Sequence, residues 1–305
     1  MKTVPCRIFP RIRFCFGILV VALALRCTPV VAQEAKLDAA ETAVQARIEK
    51  SGADVAIYFK TLDGKSEWTV RPDEMFHAAS TMKVPVMIEL FHQVKFGKVK
   101  LEDAIRIKNE FHSIVNGSVY TLSAADDSEA ELYKADGQTR TLNDLCEVMI
   151  TVSSNFATNL LIEKLGVENI RGTVHELGAD GMNVLRGVED NKAFEKGLNN
   201  TTTARGLGVL LHAIAEGKAV DAASSRQMIA ILQRQKFNEG IPAGLPAGIS
   251  VAHKTGEITK IHHDAAIVFA KRPFILVILV RGLADKKDSA SLMADITGKL
   301  FEATQ

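Results

Sequence analysis

The sequence predicts an α+β protein: one β-sheet with flanking helices, assembled from both chain ends, and an all-helical domain inserted between them. Three observations carry this expectation. β-rich stretches stand near the two ends of the chain, at residues 53–70 and 249–281. The residues between them hold a succession of segments with apolar positions at helical spacing. The composition, 47% hydrophobic and 24% charged over 305 residues, excludes a disordered or fibrous chain, and the length is close to that at which one core divides in two. Strands at both ends around a helical middle then build a single sheet from both termini.

The first 32 residues read as an export signal. They hold five cationic residues (Lys2, Arg7, Arg11, Arg13 and Arg26) and no Asp or Glu, and an apolar run at residues 14–25 is followed by Val30-Val31-Ala32. That run is shorter than the ~20 apolar residues that span a bilayer. Small residues before Gln33 suit a signal peptidase, so cleavage is expected near Ala32 and the mature protein is expected to be periplasmic or secreted. An uncleaved anchor is the competing reading; a lipid anchor at Cys27 is disfavoured by Arg26, which stands where a small residue is expected. The whole chain carries a net charge of +1, but without this segment 32 basic and 36 acidic residues remain, a net −4 over 273 residues. A mildly acidic body argues against nucleic acid or an anionic membrane surface as partner, and a monomer without stable membrane association is expected. Outside the signal only Cys146 remains, in the apolar stretch 142–150. It reads as a buried small hydrophobe, with no intrachain disulfide and no cysteine-rich metal site.

Residues 34–51 place Leu37, Ala40, Val44 and Ile48 at helical spacing, closed by Ser51-Gly52. Residues 53–60 and 66–70 read as a strand pair around Asp63-Gly64. Helices are expected over 81–96, 142–151, 155–165, 167–177, 203–216 and 222–233, and the least structure over 116–141 and 178–201. Strands return over 249–255, 264–270 and 274–281, with Arg272-Pro273 at the last turn, before a closing helix over 286–301. On this layout residues 33–75 and 237–305 form the sheet domain, and residues 76–236 the helical one.

Three short motifs occur in order: Ser80-Thr81-Met82-Lys83, Ser153-Ser154-Asn155 and Lys254-Thr255-Gly256. Each alone has a bland explanation: a helix start with a solvated lysine, a plain N-cap, and a lysine at a strand end. Together they describe chemistry. Ser80 stands at a predicted helix start, and residues three apart share a helix face, so Lys83 can reach its hydroxyl. Serine is a poor nucleophile until a neighbour takes its proton, which a desolvated lysine can do. Unpaired first-turn N–H groups could stabilise the resulting oxyanion.

This ordered set resembles the penicillin-recognising serine hydrolases, most closely the class A β-lactamases. The resemblance covers essentially the whole mature chain, including the segment ITVSSNFATNLLIEKLG at 150–166 and Thr201-Thr202-Thr203 opening a helix. It implies an α/β sandwich with an antiparallel sheet, an all-helical domain, and an active site between them. It also implies that Ser80 is acylated, that Lys83 activates it, and that Ser153 relays a proton to the leaving nitrogen. Asn155 would hold the substrate's side-chain amide, Lys254 and Thr255 its carboxylate, and the backbone N–H groups of Ser80 and Glu257 its oxyanion. No cofactor or metal is implied.

Four departures from the family pattern bear on function. Glu189 and Glu195 both compete for the role of activating the water that clears the acyl-enzyme; Glu189 is favoured by its distance after Ser153, although Ala193 then falls where a water-positioning asparagine is expected. Ser154 replaces the usual aspartate of the second motif. Glu257 shares a strand face with Thr255 and could repel an anionic substrate. His262-His263 stands where many relatives carry an arginine for the substrate carboxylate; adjacent strand residues point to opposite faces, so a surface or cleft-rim role is expected rather than metal binding. The expected function is an exported serine β-lactamase. The alternative is a related acyl-serine hydrolase (a D-alanyl-D-alanine peptidase or esterase) or a slowly deacylating penicillin-binding protein, acting on a β-lactam or a peptidoglycan-like substrate. A sensor or inactive binding module is a third reading, against which the intact serine and lysine count.

Overall fold

The structure, a computed structural model, describes residues 1–3 and 28–305, with the side chains of its first helix described from residue 35. The apolar run of the expected export signal lies outside the described residues. The chain runs α1 (Thr28–Ser51), β1 (Asp54–Thr61), β2 (Glu67–Val70), β3 (Phe76–His77), a 3-10 turn (Ala79–Met82), α2 (Lys83–Lys95) and β4 (Ala104–Arg106). There follow β5 (Phe111–His112), β6 (Val119–Tyr120), α3 (Ala130–Tyr133), β7 (Thr139–Thr141), α4 (Leu142–Thr151), α5 (Asn155–Leu165) and α6 (Val167–Glu176). The last third holds α7 (Asn191–Glu195), β8 (Thr201–Thr202), α8 (Ala204–Ala215), α9 (Ala222–Leu232), β9 (Ser250–Ile258), β10 (Ile261–Phe269), β11 (Phe274–Arg281) and α10 (Lys286–Thr304).

Five strands form one antiparallel sheet in the order β2-β1-β11-β10-β9. Both faces are covered, and the two-residue period of each strand sends alternate side chains to different cores. Val55, Ile57 and Phe59 of β1, with Leu276, Ile278 and Val280 of β11, pack on Val44 and Ile48 of α1 and on Leu292, Met293, Ile296 and Leu300 of α10. Ala56, Tyr58, Ile275, Val277 and Leu279 point the other way, into a larger core shared with α2, α4, α5, α6, α8 and α9. Each fully buried side chain of this size contributes about 2 kcal/mol by leaving water. Helix α8 lies directly on β1, β10 and β11. Gly208 permits that approach, since an added Cβ would overlap the Tyr58 ring.

Three expectations are corrected. First, α1 begins at Thr28 rather than at residue 34, with Pro29 in its first turn, where a missing N–H leaves no helical bond unmade. Second, Ser80 does not open the α-helix. It lies in the 3-10 turn, and α2 starts at Lys83. Pro85 has no N–H to give to residue 81, and the Lys83 N–H closes the turn on the Ser80 carbonyl instead. Third, Lys254-Thr255-Gly256 does not end its strand: β9 continues through Ile258, pairing Thr255 with Asp264 and Glu257 with His262 before a tight turn in which Lys260 has φ +58°. The stretches expected to be least structured hold only short pieces, β6, α3 and β7 in one and α7 and β8 in the other.

Candidate active site

The three motifs, far apart in sequence, meet where the edge strand β9 passes the 3-10 turn and the start of α5. The turn itself is held by Thr81, whose hydroxyl donates to the Ala78 carbonyl at 2.6 Å, and by His77 Nδ1, which accepts from the Ala79 N–H at 3.0 Å. Ala79 sits at φ +44°, a conformation that turns Ser80 toward the cleft. Gly256 makes the close passage possible: a Cβ there would lie 3.0 Å from Thr81 Cγ2 and 3.1 Å from Thr81 N. Because β9 is the sheet edge, its outward backbone groups are left for a ligand. A cleft of about 640 Å³ is lined by Ser80, Ser153, Asn155, Thr255, Glu257 and His262, among others. An adjoining cavity of about 320 Å³ is lined by Ser80, Asn155 and Glu189.

Lys83 is completely buried, and its hydrogen bonds go to the second motif rather than to Ser80. Its Nζ donates to the Ser153 carbonyl at 2.6 Å, to Ser153 Oγ at 3.1 Å and to Asn155 Oδ1 at 2.9 Å. Burial lowers its pKa to about 7, against the opposing pull of the Asp127 and Glu189 charges. Lys254, also completely buried, donates to Ser153 Oγ at 3.0 Å and to the Thr255 carbonyl at 2.8 Å. Its pKa falls well below the ordinary lysine value, through burial first and the neighbouring Lys83 second. Ser153 Oγ thus stands between two lysine nitrogens. With both donating to its lone pairs, its own hydrogen is free to point into the cleft.

Asn155 bridges the halves of the site, accepting from Lys83 and donating from Nδ2 to Glu189 Oε1 at 2.7 Å. Burial raises the Glu189 pKa, opposed by the Asn155 hydrogen bond. Glu189 has φ +61°, and its neighbours over-determine that strained position. The Val188 N–H donates to Asn159 Oδ1 at 2.7 Å, Asp190 Oδ1 accepts from Ser113 Oγ at 2.8 Å, and Asp190 Oδ2 from the Ile114 N–H at 3.0 Å. Glu195, by contrast, lies exposed on α7. Thr255 is buried beside Lys254, while Glu257 is exposed at the cleft mouth and pairs with Lys286 Nζ at 2.6 Å.

Of the two histidines expected at the surface or the cleft rim, one reaches the cleft and the other does not. His262 does line the cleft, but it is almost fully buried. His263 is completely buried; Nδ1 accepts from the Val280 N–H at 3.1 Å, so Nε2 carries the proton and donates to the His77 carbonyl at 3.0 Å. Burial lowers its pKa to about 4, so it is a neutral strut between the sheet and the turn that carries Ser80. His253 joins Asp264 at 2.9 Å beneath Lys254. Burial pushes the Cys146 thiol up to about 12, which makes it inert at neutral pH. Among the described residues no group of three His, Cys, Asp or Glu could hold a metal ion, and no helix is long and apolar enough to cross a membrane.

One residue escaped the sequence reading. Asp127, from the stretch read as least structured, reaches the second motif and accepts from the Phe156 N–H at 2.8 Å. Its only sequence signal is indirect, the missing aspartate at Ser154.

Residues 39–304 match the profile of the β-lactamase enzyme family. A β-lactamase from Sphaerobacter thermophilus is similar over 90% of this chain and 97% of its own, at 27% identity and a TM-score of 0.72. An ancestral class A β-lactamase is similar in fold over 87% of this chain and 99% of its own, at 24% identity and TM-score 0.75. A single-site mutant of PBP-A, an acyl-enzyme complex with penicillin G, shares the fold at 24% identity, 90% and 96% coverage and TM-score 0.71. Fold and family together define a serine hydrolase of the β-lactamase kind. This chain belongs to the β-lactamase enzyme family.

Proposed function

We propose that the protein is an exported serine β-lactamase that opens the β-lactam amide through an acyl-enzyme on Ser80. The observation that carries this reading is Glu189: its carboxylate is held by Asn155 in a cavity that Ser80 also lines, as a water-activating base for deacylation must be. A lysine with a pKa of about 7 is roughly half neutral at pH 7, so Lys83 can take the Ser80 proton, directly or by way of the Ser153 hydroxyl to which it is bonded. Ser80 Oγ then attacks the carbonyl carbon, and the oxyanion is received by the backbone N–H groups of Ser80 and Glu257. As the carbon–nitrogen bond breaks, Ser153 gives its proton to the leaving nitrogen and is resupplied from Lys83. An arriving substrate carboxylate restores charge to Lys254 and bonds to Thr255. Glu189 finally takes a proton from the water that cleaves the ester, freeing Ser80. The cationic, apolar N-terminal run supports export to the periplasm or beyond.

One observation favours a slower variant of the same chemistry. Ala193 brings no amide to seat the water, and Glu189 Oε1 is already engaged by Asn155. A penicillin-binding protein or D-alanyl-D-alanine peptidase would keep the adduct instead; the similar PBP-A mutant forms an acyl-enzyme complex with penicillin G. Incubation with a chromogenic cephalosporin, with covalent mass followed in time, separates the two. Rapid colour with a transient adduct is expected; a lasting adduct identifies the slower enzyme, and no adduct on folded protein removes Ser80 as nucleophile. Ser80→Ala should abolish the adduct and Glu189→Ala should trap it. Trapping by Glu195→Ala with normal turnover in Glu189→Ala would reverse the assignment.

A further inference from the structure

The second motif carries Ser154 where the family places an aspartate, and Ser154 is fully buried at the N-cap of α5. A carboxylate nevertheless reaches this turn from elsewhere in the chain. Asp127 Oδ2 accepts from the Phe156 N–H at 2.8 Å, from Tyr133 Oη at 3.0 Å and from Ser154 Oγ at 3.3 Å, while Oδ1 accepts from the Glu129 N–H at 3.0 Å. Ser154 and Phe156 flank Asn155, the residue that bridges Lys83 and Glu189. One carboxylate therefore grips the chain on both sides of that bridge. The grip matters because Ser153, the residue before it, is held at φ +63°, a conformation that persists only where its surroundings enforce it.

Resting on the assignment of Ser80 as the acylated nucleophile, we propose that Asp127 is a positioning residue for acyl transfer, which replaces the missing motif aspartate by fixing the turn at residues 153–155 against Lys83. Its charge acts on Lys83 as well. The charged groups around that ammonium are Asp127, Glu189 and Lys254, and Asp127 is the foremost of those opposing the effect of burial. Neutralising Asp127 therefore lowers the Lys83 pKa further, so the rise of acylation with pH moves to lower pH.

The test measures acylation by penicillin G, from covalent mass after rapid quenching, between about pH 5 and 9. Wild type, Asp127→Asn, Asp127→Ala and the double variant Asp127→Ala/Ser154→Asp are compared, with thermal melting of each. Asp127→Asn is expected to lose on the order of tenfold in acylation rate, with its pH profile displaced to lower pH. Ser154→Asp, which returns a carboxylate to the motif itself and can still cap α5, is expected to restore both. If Asp127→Ala fails to fold, Asp127→Asn and the double variant still decide. An unchanged rate and profile in folded Asp127→Asn overturns the proposal. So does a lower melting temperature with an unmoved profile and no rescue, which marks Asp127 as merely structural. Absence of any adduct in the wild type overturns the Ser80 assignment instead.

Discussion

Lys83 has lost its water, and only partly regained it in the form of Ser153 and Asn155. Two consequences follow for measurement. Acylation should rise with pH through about 7 as Lys83 gives up its proton, and Lys83→Met should reduce it by about 10²–10⁴-fold, which rapid-quench mass measurement would show. Stability should carry the same signature. In the unfolded chain Lys83 titrates near 10.4, so between about pH 7 and 10 the unfolded state binds more protons than the folded one, and this group adds stability as pH rises. Lys254, lowered in the same direction, adds to the slope. Lys83→Met should show a shallower rise of melting temperature over that interval, and an equal slope in the two proteins would refute the assignment. The sequence made Lys83 legible as a base candidate but not its partners. Three-residue spacing pointed it at Ser80, whereas the 3-10 turn and the second motif direct its Nζ to Ser153 and Asn155.

Among the elements, β9 and the 3-10 turn decide whether the site is assembled. Their contact is close at Gly256: an added Cβ would stand 3.0 Å from Thr81 Cγ2 and 3.2 Å from Ala79 Cβ, so Gly256→Ala displaces the strand or the turn by a few tenths of an ångström. A shift of that kind should reduce kcat/KM for a chromogenic cephalosporin by about 3–10-fold, with little effect on melting temperature. Gly208→Ala has the opposite profile. It forces α8 off the Tyr58 ring, away from the cleft, and should destabilise the fold by about 1–3 kcal/mol while sparing the kinetics of whatever protein remains folded. Strands and helices with clear apolar periodicity were legible within a few residues. The loop register around Glu189 was not, because it is set by Asn159, Asp190 and Ser113, polar contacts that leave no period in the sequence.

At the scale of the whole molecule, a net −4 body directs two buried lysines at one hydroxyl, with a carboxylate at the entrance. Glu257 is partly neutralised by Lys286, so its repulsion of an anionic substrate is blunted rather than abolished. Glu257→Gln should lower KM for an anionic cephalosporin by about 2–5-fold, and Lys286→Ala should raise it; both effects should shrink as salt is added. Steady-state kinetics at two ionic strengths would check this, and salt-independent changes would argue against an electrostatic origin. By itself the sequence determined the two-ended sheet, the inserted helices and the three motifs, because apolar periodicity and short motifs are local and survive being read in one dimension. Only the tertiary structure decided that Asp127 reaches Ser154, that Glu189 and not Glu195 lines a cavity with Ser80, and that both lysines meet at Ser153. Those outcomes depend on burial and on distances between segments remote in the chain, neither of which leaves a period or a motif in the sequence.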